Sequence, residues 1–239
     1  MWFFKKKRSD HSLKELVDGL TQALGSKLVS VTLYGSRASG EYREGSSDVN
    51  VFIVLEDVSS ETLELMSKPL RIWLKAGHRL PVFVQKHELS LYAKCLPVEF
   101  LDMQDHHKVI CGSSPLEGLR IDRSNLRAQC LQELAVKQLK LRQAFLLADA
   151  SPKRVREALL GSLPSILTLY RAVLRLEADV PKGSKIMAAQ ELAQRAGIDG
   201  DCLMRLSNNH IRRQTDDVHD LAHHYLDGIE RVLAYLERK

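Results

Sequence analysis

Leu33-Tyr34-Gly35-Ser36-Arg37-Ala38-Ser39-Gly40, followed after a short polar stretch by Ser46-Ser47-Asp48-Val49-Asn50-Val51, decides how this chain is read. Upstream of it, Leu28-Val29-Ser30-Val31-Thr32-Leu33-Tyr34 is a β-branched run that predicts a buried strand. Gly35-Ser36 then breaks the run, and a Gly-Ser turn at a strand end can present backbone N–H groups to anionic oxygens. Eleven residues separate Ser36 from Asp48, which opens a second apolar run, Asp48 to Leu55. In a strand, residues two apart share a face, so Asp48 and Asn50 point the same way.

Working outward, Leu13, Leu16, Val17, Leu20 and Leu24 recur at helical spacing and predict a helix from about His11 to Leu24. Residues 61–76 read as a second helix with a break or kink at Pro69, and Leu80 to Gln85 as a third strand in a mixed or antiparallel sheet. Val98 to Met103 reads as a further short extended element, leading through Gln104-Asp105-His106-His107 to Val109-Ile110-Cys111-Gly112.

Beyond about residue 118 the character changes. Segments over Ser124–Ala148 and Leu159–Leu174, a helix capped by Ser184, and the stripe Val218, Leu221, Ala222, Tyr225, Leu226, Ile229, Val232, Leu233, Leu236 imply an antiparallel bundle. The expected organisation is a basic and aromatic tail over 1–10, an α/β domain with a small mixed sheet over 11–118, and an all-α helical bundle over 119–239.

The paired motifs resemble the signature of the nucleotidyltransferase superfamily, in the form shared by DNA polymerase β and the minimal and kanamycin nucleotidyltransferases. The resemblance implies nucleotide binding by Gly35, Ser36, Arg37 and Ser47, with Asp48 and Asn50 at the catalytic and metal position. It implies Mg²⁺ and a nucleoside triphosphate as cofactor and substrate, and transfer of a nucleoside monophosphate to a hydroxyl acceptor. The family places a second carboxylate where this chain has Asn50 and a third on the next strand, where this chain has Val82, Phe83 and Val84. Two metals bridged by carboxylates activate the attacking hydroxyl in such chemistry. The expected protein is therefore weakly active or inactive, a pseudoenzyme in the limit, unless Glu99, Asp102 or Asp105 replaces the missing acid.

Two alternatives stand beside this reading. One is a non-catalytic module that binds a nucleotide or a partner protein. The other is a ribonuclease or toxin-type helical domain of the HEPN kind, resting on Arg213 and His219 in an Arg-x-x-x-x-x-His pattern. Asp216, His219 and His223 also share a helix face at metal-ligand spacing, and His106-His107 lies beside Asp102 and Asp105.

Charge narrows the partners. The formal net charge is +5, and Lys5, Lys6, Lys7 and Arg8 carry four of those five units. The remainder is nearly neutral, which gives no strong nucleic-acid signal. Lys137, Lys140, Arg142, Lys153, Arg154 and Arg156 read as solvated helix faces. Trp2, Phe3 and Phe4 before the basic run suggest, at most, contact with an anionic membrane surface. Cys95, Cys111, Cys130 and Cys202 are widely spaced and read as buried thiols of a cytoplasmic protein.

Overall fold

The computed structural model describes residues 2–38, 49–149, 151–177, 183–207 and 218–238, with the side chains of 2–10 and of Ser36 outside that description. The chain divides into two compact units, residues 1–94 with 99–120, and residues 95–98 with 121–239.

The first unit is a four-stranded mixed sheet covered by helices. Helix α1 (Trp2–Leu24) leads into β1 (Leu28–Tyr34), and β2 (Asn50–Leu55) follows beyond the Gly-Ser turn. Next come α2 (Ser60–Lys75), β3 (Val82–Gln85), α3 (Leu89–Cys95), α4 (Pro97–Asp105) and β4 (His107–Gly112). The strand order is β3-β2-β1-β4. β1 is antiparallel to both β2 and β4, whereas β3 runs parallel to β2. Parallel pairing needs a crossover, and α2 supplies it.

One sheet face buries Val31, Leu33, Val51, Ile53 and Leu55 against Leu13, Leu16, Leu20 and Leu24 of α1 and Met66 and Trp73 of α2. Period-two alternation puts Ser30, Thr32 and Tyr34 of β1, with Asn50 and Phe52 of β2, on the other face. Helix α4 lies over that second face, where Phe100 meets Phe52 edge to face with ring centroids 5.9 Å apart.

Several expectations are corrected here. The Val98–Met103 segment is helical, because Pro97 opens α4 at a position that suits proline, and Val98, Phe100, Leu101 and Met103 are all buried. Helix α1 starts at Trp2 instead of near His11; nothing between them breaks a helix. Pro69 lies inside α2 without ending it. Cys95 is exposed and Cys111 half-buried, leaving Cys130 and Cys202 as the buried thiols.

The second unit is helical: α5 (Arg123–Leu147), α6 (Pro152–Leu174), α7 (Lys185–Ala196), α8 (Asp201–Ser207) and α9 (Val218–Glu237). Asp122 caps α5 by accepting from the N–H groups of Ser124 and Asn125 at 2.9 and 3.0 Å. Ser184 caps α7 as its sequence position suggests. The α9 stripe is buried at Val218, Leu221, Ala222, Tyr225, Ile229, Val232 and Leu236. Helix α8 had no counterpart in the sequence reading. Among the described residues no helix is long and apolar enough to cross a membrane.

Candidate functional site

The site is built where β1 stops. Tyr34 is extended, and Gly35 turns the chain at φ +77°, a left-handed conformation that side chains with a Cβ resist. A Cβ on Gly35 would stand 3.0 Å from Nδ2 of Asn50, so the glycine is also what lets the Asn50 amide approach the turn. The Gly35 N–H donates to the His106 carbonyl at 3.0 Å, and the Ala38 N–H to the Gly35 carbonyl at 2.8 Å, closing a single 3-10 turn over Gly35–Arg37. The Gly35 amide is thus spent inside the protein. Presentation to an anion falls to the amides after it, because the leading N–H groups of a helical turn lack partners within the turn.

Around this turn the sheet register sets the neighbours. Tyr34 stands opposite Asn50 on β2 and opposite His107 on β4. Burial, then the charges of Asp102 and Glu99 on α4, hold the Tyr34 hydroxyl above its ordinary value. Two of the three acids considered as replacements therefore act on the face that carries Tyr34 and Asn50. Asp105 ends α4, next to the residue whose carbonyl receives the Gly35 amide.

An imidazole lies toward the same end. β3 runs parallel to β2 with Val82 beside Phe52, so residues just before β3 lie at the Asn50 end of the sheet. His78 is among them. Its ring stacks on the Trp73 indole at 3.9 Å between centroids and 23° between planes. The Trp73 Nε1–H donates to the Arg79 carbonyl at 2.6 Å, which ties the segment to α2. Burial, then the charge of Arg37, lowers the His78 pKa. The sequence reading did not single out His78; its one signal was an aromatic followed by a histidine and an arginine just ahead of a strand.

The third-strand position is also resolved. Phe83 stands beside Ile53 and packs into the α1/α2 core, whereas Val82 shares the Phe52 face. Neither carries a charge, and Val82 is exposed. Asp48 and Ser47 lie outside the described residues, as do Arg213 and Asp216 of the histidine patterns. His219 and His223 line a cleft of about 450 Å³ in the helical unit, with Arg142, Phe145, Asp227 and Glu230. Among the described residues no three His, Cys, Asp or Glu side chains gather to hold a metal ion.

Residues 13–103 match the family model of the nucleotidyltransferase domain. The fold is similar to that of the spectinomycin adenyltransferase of Enterococcus faecialis, crystallised with ATP and spectinomycin, at 12% identity and a TM-score of 0.58. That likeness covers 92% of this chain and 98% of the other. No curated protein sequence matches significantly. The mixed sheet with its Gly-Ser turn thus lies largely within the segment that matches the nucleotidyltransferase domain, and the fold as a whole is nucleotidyltransferase-like with an all-α part following.

Proposed function

We propose that this chain binds a nucleoside triphosphate with Mg²⁺ at the Gly35–Ser36–Arg37 turn, and that as it stands it transfers nucleoside monophosphate to a hydroxyl acceptor weakly or not at all. The observation that carries the reading is the turn itself. A left-handed glycine brings the Asn50 amide to within contact of the strand end, and Arg37 adds a cation there. The domains proposed are a basic and aromatic tail over 1–10, a nucleotidyltransferase-like α/β domain over 11–118 and a helical bundle over 119–239.

The donors fit a metal held chiefly by its nucleotide. Mg²⁺ keeps several waters and commonly takes only one or two protein oxygens beside phosphates. Asp48 and the Asn50 amide oxygen would be those ligands, and the ion would neutralise the triphosphate. Ser36, Ser47 and Arg37 would meet the phosphate oxygens. Asn50, Val82 and Phe83 stand where the family carries its second and third carboxylates. Deprotonation of an acceptor hydroxyl then lacks its usual driving force. Asp102 and Glu99 on α4 are the candidate substitutes, since their charges act on Tyr34, which stands opposite Asn50. The reducing, cytoplasmic setting proposed from cysteine spacing suits a protein that binds nucleoside triphosphate.

Calorimetric titration with ATP, with and without Mg²⁺, tests the reading on wild type and Asp48→Ala. Binding that gains affinity with Mg²⁺ in wild type and loses that gain in Asp48→Ala supports it. The absence of binding in wild type, or Mg²⁺ dependence unchanged in Asp48→Ala, overturns it.

A further inference from the structure

We infer that His78, backed by the Trp73 indole, is a second cationic contact for the triphosphate beside Arg37, and that it takes up a proton when the nucleotide binds. The inference rests on the proposed nucleotide site and extends it to a residue outside the family-like motif.

Placement comes first. Because β3 is parallel to β2, the chain entering β3 reaches the sheet at the end where Asn50 begins β2 and Gly35 leaves β1. His78 lies four residues before Val82, the first β3 residue in register. It is half-buried. The ring is not free to wander, since one face is stacked on Trp73, itself 1% exposed, and the next residue's carbonyl is bound by the same indole. A fixed ring is a better ligand than a mobile one, because less freedom is lost on binding.

Charge comes second. Among the described residues, the charged group that acts on the ring from the neighbouring elements is Arg37, in the turn after β1. From α2 the contact is the uncharged Trp73, and Arg79 follows His78 in the chain. Burial, with the Arg37 charge added, disfavours an imidazolium in the empty protein. A triphosphate at the turn reverses this balance, since its negative charge favours the protonated ring. The indole face also favours the cation. The proton comes from solvent and rests on a ring nitrogen facing the phosphate; no covalent bond changes.

The sign follows. A ligand that raises the pKa of a group binds tightest below the free-protein value and weakens as pH rises through the bound value. Each unit by which the nucleotide raises it corresponds to about a tenfold loss of affinity across that window.

The test is calorimetry of ATP binding near pH 7 in buffers of different ionisation enthalpy, which counts protons taken up. Wild type is compared with His78→Gln and His78→Lys, so that titration of the nucleotide itself cancels. We expect net uptake by wild type above that of His78→Gln, weaker binding by His78→Gln, and in His78→Lys an affinity that no longer falls from pH 6 to 8 beyond the nucleotide's own titration. Equal proton uptake by wild type and His78→Gln overturns the inference while leaving the nucleotide site standing. Failure of wild type to bind ATP at any pH overturns both.

Discussion

Replacing Gly35 by alanine tests the site at its narrowest point. The residue sits at φ +77°, where a Cβ costs about 1–2 kcal/mol through its clash with the backbone. The added methyl would also stand 3.0 Å from the Asn50 amide nitrogen, the end of a side chain that can yield by a few tenths of an ångström. The stability loss should therefore stay near the dihedral cost, a fall in Tm on the order of 5–10 °C for a unit of this size. Nucleotide affinity should suffer more, because yielding moves Asn50 out of the position the turn gives it; a loss of 1.4 kcal/mol is about tenfold in Kd. Circular dichroism melting and ATP calorimetry read the two effects separately. The double variant Gly35→Ala with Asn50→Ser should recover little affinity and little stability, because the backbone cost at position 35 stays. Gly35→Ala with wild-type Tm and wild-type ATP affinity would refute the argument.

Three further outcomes are expected. Asp57 accepts from Ser59 and Thr62 at the start of α2 and lies 3.6 Å from Lys27; these hydrogen bonds, with a smaller part from the lysine, hold its carboxyl well below the ordinary range. Its contribution is therefore full above about pH 4 and is lost as pH falls through the lowered native value, so the Tm gap between wild type and Asp57→Asn should close on acidification. A gap constant to pH 2 would contradict this. In the helical unit the buried Tyr225 hydroxyl meets Ser162 Oγ at 3.1 Å, while Ser162 donates to the Leu159 carbonyl at 2.9 Å. Ser162→Ala should cost about 1–3 kcal/mol in denaturant melts, and Tyr225→Phe in the same chain should return most of it. A thiol reagent at pH 8 should label the exposed Cys95 quickly in the native protein and reach Cys202, whose thiol burial pushes up to about 12, only on unfolding; mass spectrometry of the labelled peptides decides.

The residues that announced their structure in the sequence were those whose local preference and final environment agree. β1 was legible to the residue, because a β-branched run between Lys27 and Gly35 has one comfortable conformation and a glycine to end it. The α9 stripe was legible for the same reason, seven of its apolar residues facing one core. Helix α4 was not. Val-Glu-Phe-Leu-Asp-Met has no clean period of either kind, since packing buries four of its side chains around the helix and erases the polar face that would have marked it. Consequently the acids Glu99 and Asp102 looked like strand residues, when they project from a helix. His78 was silent because its meaning depends on a parallel strand entering beside Asn50, a relation between segments nearly thirty positions apart that no local pattern encodes. Arg37 could be placed because it follows Gly35-Ser36, whereas its effect on His78 could not.

The family match stops at residue 103, yet the sheet does not. β4, residues 107–112, flanks β1 opposite β2, and the His106 carbonyl just before it accepts the Gly35 N–H. An expression fragment trimmed to the matched segment would strip the central strand of one neighbour and leave Ser30, Val31, Thr32 and Leu33, all buried in the intact chain, along a raw edge open to pairing with other molecules. The smallest piece worth producing on its own is one that runs to Arg120, where the first compact unit ends.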